Sequence, residues 1–91
     1  MRYKSIFQDE ESSKYCYLCG KAANHWHHIF NASNKANSER YGLMMRLCWE
    51  CHSEVHQKRM KEVKKYAQQK AMEKYGLTFD EWRRIFGKNY L

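Results

Sequence analysis

The chain has 91 residues, with 17 Lys+Arg against 10 Asp+Glu and a formal net charge of +7. That is the length of one domain, and a chain this short buries only about 60–65% of its unfolded surface, so its core needs a staple. No apolar stretch approaches the roughly 20 residues of a membrane span. Residues 1–11 lack the apolar core of a secretory leader, and 15% aromatic residues argues against disorder. A soluble, non-membrane, basic domain is the expectation.

In chain order, residues 1–14 are polar and of mixed charge, and read as a loosely held N-terminal arm ahead of a single domain over 15–91. Cys16 to Gly20 reads as a knuckle, with Gly20 at its tight turn. Residues 24–30 (NHWHHIF) are aromatic and β-compatible, a short strand. Residues 31–40 (NASNKANSER) show no apolar period and read as a loop. Residues 43–47 (LMMRL) make a second short strand that enters the second knuckle, 48–51. Val55, Val63, Tyr66, Ala67 and Ala71 then recur at helical spacing with no Gly or Pro before Gly76, which predicts a helix over 49–75. Thr78 is placed to cap a short helix over 79–86 that stops at Gly87. Trp49 and Trp82 are expected in the core, and Tyr66, Tyr75, Phe79 and Phe86 between the two helices. The fold class is α+β, a compact ββα unit with one long and one short C-terminal helix.

The four cysteines fall as Cys16-x-x-Cys19 and Cys48-x-x-Cys51. Each CxxC knuckle aims two sulfurs at one centre, and two knuckles complete a tetrahedral structural zinc site. The competing reading is two disulfides, disfavoured because nothing marks the chain for an oxidising compartment. A redox CxxC expects one motif opening a helix, not a matched pair. Zinc bound there would contribute folding free energy directly.

Five histidines remain: His25, His27, His28, His52 and His56. His52 and His56 share a helix face. Ser53 stands where an HExxH protease carries Glu. His27 and His28 are adjacent on the first strand and point to opposite faces, so one ring can bind metal while the other takes a proton. His25 reads as a surface or packing residue. Four cysteines already fill the zinc site, so the clustered imidazoles suggest a second, open metal site.

His27-His28-Ile29, followed by Leu47-Cys48-x-x-Cys51-His52-x-x-x-His56, resembles the HNH or ββα-metal nucleases, and residues 27–56 are similar to small phage-type members. The ending Phe86-Gly87-Lys88-Asn89-Tyr90-Leu91 also looks like tails of that group. The resemblance implies a zinc-stapled ββα-metal fold and a metal-dependent DNA endonuclease, located in the cytoplasm of a phage-infected or bacterial host cell. It implies that His28 is the general base and that His27, His52 and His56 hold the catalytic divalent metal (Mg²⁺, Mn²⁺, Ni²⁺ or Zn²⁺). Relatives carry a middle Asn where this chain has Leu43; Asn34 or Asn37 are the candidates to replace it.

The +7 charge suits a polyanionic partner. Candidate DNA contacts are Lys35, Arg40 and Arg46 near the site, with Lys58, Arg59, Lys61, Lys64 and Lys65 along the helix. The helical charges can equally form a solvated face with Glu54 and Glu62. The rival expectations are a non-catalytic zinc module that docks on nucleic acid, and a weak nuclease dependent on a partner, as a recombination-associated enzyme is. A homodimer or a larger complex fits either.

Overall fold

The computed structural model describes residues 4–91; the first three residues of the expected arm lie outside the described ones. Its frame is a two-stranded antiparallel sheet. Strand β1 (His25–His28) pairs with β2 (Met44–Leu47) in the register His25↔Leu47, Trp26↔Arg46, His27↔Met45 and His28↔Met44. Both expected strands are present, each trimmed at its ends. Both knuckles border this sheet. Tyr15 bridges Ala22 across the first knuckle, and Cys48 is the N-cap residue of the helix that leaves β2.

Residues 31–40 are not a loop. A 3-10 turn (Ala32–Asn34) leads into helix α1 (Lys35–Tyr41), which ends at Gly42 in the left-handed region with φ 71°. The absence of an apolar period misleads because a polar residue carries the packing. The buried Ser38 hydroxyl donates to Phe30 O at 2.7 Å and accepts from Phe30 N–H at 3.1 Å. One hydroxyl thus satisfies both backbone groups of a buried residue just beyond β1, groups that are costly to leave unpaired. Gly42 is required for a second reason. A Cβ there would lie 2.9 Å from the Lys4 carbonyl oxygen and 3.1 Å from Ile6.

That close approach belongs to a further correction. The described part of the N-terminal arm, 4–14, is docked rather than loose. Ile6 N–H donates to Gly42 O at 3.0 Å. The buried Gln8 amide donates to Ser12 O and Tyr15 O, and its oxygen accepts from Arg46 N–H at 2.8 Å. Ile6 and Phe7 pack against the core. A polar composition concealed this because side-chain amides and backbone groups make the attachment.

The long helix runs through residues 49–75 in three successive segments. They are α2 (Trp49–Glu54), a π-helical segment (Val55–Arg59) and α3 (Met60–Tyr75). Val55, Val63, Ala67 and Ala71 are buried along it, the apolar stripe read from the sequence. Helix α4 (Phe79–Phe86) begins in a complete capping box, with Thr78 and Glu81 satisfying each other's backbone N–H, and ends at Gly87. This is the pattern expected of a well-capped short helix.

The core gathers Ile29, Phe30, Leu43, Met45, Leu47, Val55, Trp82 and Phe86. Trp82 is fully buried and stacks on Phe86 at 4.1 Å, whereas Trp49, expected beside it in the core, is 65% exposed. Position decides this: Trp49 lies inside the second knuckle, between Cys48 and Cys51, as the first residue of α2. Of the four aromatics assigned to the interhelical contact, Phe86 is buried in the same core cluster as Val63, Ala67 and Ala71 of α3. Tyr66 packs on Phe7 and Tyr17, Tyr75 on Tyr41, and Phe79 is half exposed. The C-terminal tail folds back. Buried Gln68 donates to Asn89 Oδ1 at 2.7 Å and accepts from Tyr90 N–H, and Tyr90 lies 5.1 Å from Phe30. Among the described residues no helix is long and apolar enough to cross a membrane.

Candidate metal centres

Cys16, Cys19, Cys48 and Cys51 converge, with their four sulfurs all within 4.8 Å of one another. The first pair sits in a turn held by Cys16 N–H to Lys21 O at 2.6 Å and Gly20 N–H to Cys16 O at 2.9 Å. The second pair sits at the start of α2. Tyr17 N–H donates to Arg46 O at 2.8 Å and locks the first turn onto β2. Cys19 Sγ approaches Cys48 Sγ to 3.5 Å. No disulfide joins the described cysteines.

The cluster's environment favours thiolate unevenly. Burial raises the Cys16 thiol, but backbone N–H groups of Cys48, Cys19 and Leu18 outweigh it and bring it down to about 7. Burial and the neighbouring thiols push Cys51 far up. Four sulfurs this close cannot all ionise without a cation between them, and a divalent ion reverses that repulsion. The donor set could hold a structural metal such as zinc.

A second group of donors lies one residue along the chain. His27, His52 and His56 place their ring nitrogens within 4.8 Å of one another. Strand alternation turns His27 inward, where it is 1% exposed. Helical spacing sets His52 and His56 opposite, with Nε2 of each 3.1 Å apart. The ring centroids of His27 lie 5.2 Å from both. His27 Nε2 is buried without a hydrogen-bond partner among the described residues. The three rings could together hold a metal ion.

Burial favours the neutral form of His27 and His52. Burial, reinforced by the charges of His52 and His56, pulls His27 down to about 4. Burial lowers His52 as well, with His56 and His25 adding to it. Neutral imidazole is the form that binds metal.

His28, on the other face of β1, sits beside helix α1. Its Nε2 lies 3.8 Å from Glu39 Oε2. Burial lowers its pKa, Glu39 opposes that, and Lys35 adds to the lowering. Glu39 escaped sequence reasoning because its segment read as loop; its position four residues after Lys35 on a helix is the signal that a helical reading would have used.

The other predicted residues are spread apart. Lys35 and Arg40 both lie on α1. Arg46 is committed internally, donating from Nε to Ser13 O at 3.1 Å and covering Trp26 at 5.4 Å. Arg59 pairs with Glu62 at 2.9 Å, while Lys58 is exposed. Leu43 is fully buried, and its carbonyl accepts from Ile29 N–H at 3.1 Å. Asn34 and Asn37 turn away from His28, donating to Phe86 O and Ile85 O at 2.8 and 2.9 Å. His25 rests against Trp49 at 4.0 Å and His52 at 5.0 Å.

Fold and donors together define a small α+β domain with a two-stranded sheet, whose four-cysteine cluster is compatible with a zinc site. Comparison with protein-family profiles, curated proteins and solved structures found no match to this chain.

Proposed function

We propose that the chain is a metal-dependent endonuclease of the HNH, or ββα-metal, type that hydrolyses DNA phosphodiester bonds. The observation that carries the reading is the convergence of His27, His52 and His56, with His28 the next residue of the same strand, on a strand and helix fastened by the cysteine knuckles. In this reading His27, His52 and His56 hold a divalent ion, with positions left for substrate and water because the protein supplies only three ligands. Such an ion, when bound, supplies Lewis-acid stabilisation of charge on the phosphate and leaving oxygen. His28 takes the proton from the attacking water, a task for which its neutral ring is suited. Glu39 steadies His28 from α1. The net charge of +7 draws the polyanion in without sequence preference. A phage or prophage setting, with a cytoplasmic site of action, goes with the resemblance.

The test is nicking of supercoiled plasmid by the zinc-loaded chain with Mg²⁺, Mn²⁺, Ni²⁺ or EDTA. The expected result is metal-dependent nicking that His28→Ala abolishes while the fold and the cysteine-bound zinc persist.

One observation favours a second reading, a nuclease that is weak alone and depends on a partner. Leu43 is core where relatives carry Asn, and Asn34 and Asn37 are bound to the end of α4 instead. If DNA binds but stays intact with every ion, partner dependence or a purely binding zinc module replaces the first reading.

A further inference from the structure

We infer that Trp49 is a stacking platform for an unpaired nucleobase beside the histidine cluster, so that the nucleic acid engaged there is single-stranded or locally unpaired. The choice of ligand rests on the nucleic-acid reading above; the platform itself rests on geometry.

The chain has three tryptophans in three environments. Trp82 is fully buried and donates from Nε1 to Lys88 O at 2.8 Å. Trp26 is half-buried, with the Arg46 guanidinium 5.4 Å above its ring. Trp49 is 65% exposed, more than any other large hydrophobic residue described. Nothing in the packing of the core needs it there.

Its backbone is anchored. Trp49 N–H donates to Asn24 Oδ1 at 3.1 Å, and Asn24 N–H donates to Leu47 O at 3.0 Å, so start of β1, end of β2 and start of α2 hold one point. Cys48, in the four-sulfur cluster, immediately precedes it. The indole meets His25 at 4.0 Å with the rings 80° apart, and His25 in turn lies 5.0 Å from His52. Trp49 is therefore the solvent end of a row of rings that leads to the candidate metal ligands.

An exposed aromatic face on an anchored backbone is a surface on which any base can stack, whatever its identity. Bases inside a duplex are stacked on one another, so an indole held on a protein surface meets a base face only where pairing is broken. The +7 charge supplies the attraction for the backbone on either side of that base.

The experiment titrates the full zinc-loaded chain, without added divalent metal, against a short oligothymidylate and a blunt duplex. Anisotropy and tryptophan emission are followed for wild type, Trp49→Ala and Trp49→Phe. The expected result is that Trp49→Ala weakens oligothymidylate binding by about 5- to 150-fold per stacked base, that Trp49→Phe restores most of it, and that duplex affinity is unchanged. Wild-type emission is quenched on binding, and that quenching is lost in both variants. Equal oligothymidylate affinity in wild type and Trp49→Ala overturns the platform. So does a change of oligomeric state on Trp49→Ala in size-exclusion chromatography, which would make the ring a self-association contact. The two readings fail separately. Binding through Trp49 with no nicking of any substrate removes the nuclease and keeps the platform, while normal nicking with Trp49-independent binding does the reverse.

Discussion

Cys51 and His52 are neighbours in the chain and enter two donor clusters made in different ways. The cysteine cluster is built from a turn and a helix start, with four sulfurs that could close a tetrahedral site. The histidine cluster is built from the interior of a strand and one face of a helix, with three nitrogens. Of its rings, His56 is exposed and His52 partly exposed, while His27 is buried. Turns can bend until every donor faces one centre. Regular elements keep their own geometry, so they bring in fewer donors and leave one side open. Closure suits a staple and openness suits a reaction, which is why the proposed chemistry is assigned to the imidazoles and not the thiols.

The largest effect expected from this contrast is on folding. Stripping metal from the cysteine cluster with a chelator, or making Cys48→Ser, should unfold the chain, since structural zinc contributes about 10 kcal/mol in small domains. Far-UV circular dichroism reports it. His56→Ala should keep the helical spectrum, and equal collapse in both variants would erase the distinction between staple and open site.

Next comes Ser38→Ala, which removes both hydrogen bonds to the Phe30 backbone. A loss of about 1–3 kcal/mol in urea unfolding is expected for the buried groups left unpaired. Because Ser38 supports the end of β1, metal binding at the histidines should weaken while one zinc per chain stays on the cysteines. Elemental analysis beside a Mn²⁺ or Ni²⁺ titration separates the two sites.

His52→Ala sharpens the comparison from the other side. Removing one of three ligands should weaken the second metal by at least about tenfold, the scale already seen for supporting residues, with the zinc content of the cysteine site unchanged in calorimetry.

The smallest effect is alkaline. Burial, with a contribution from Tyr41, raises the Tyr75 hydroxyl above its usual value of about 10, and it donates to Tyr41 O at 2.8 Å, tying the end of α3 to α1. The folded chain keeps that proton after the unfolded chain has lost it. The contribution is thus complete below about pH 10 and falls as pH rises through the folded value. Thermal unfolding against pH should show the decline, and Tyr75→Phe should remove its share. The cysteine side has no part in that contact.

Much of this arrangement was legible in the residues. Paired CxxC motifs and an i, i+4 histidine pair name donors and spacing without any fold. Val55, Val63, Ala67 and Ala71 repeat at helical period, and Thr78 and Gly87 mark the ends of α4. What escaped is where polar residues do the packing. Ser38, Gln8 and Gln68 are buried because each satisfies backbone groups, and an apolar pattern is blind to that. Helix α1 and the docked N-terminal segment went unseen for this reason. The exposure of Trp49 was missed because hydrophobicity predicts a preference for burial, not whether a core has room on the side where the backbone points.

The sequence by itself determined which chemical groups are available and the local elements that carry them, because ligand type, period and capping are properties of residues close together in the chain. Only the tertiary structure decided that His27 meets His52 and His56, that Glu39 stands by His28, and that Trp49 faces solvent. Those relations join residues distant in sequence, and they depend on strand register and helix docking, which local pattern does not encode.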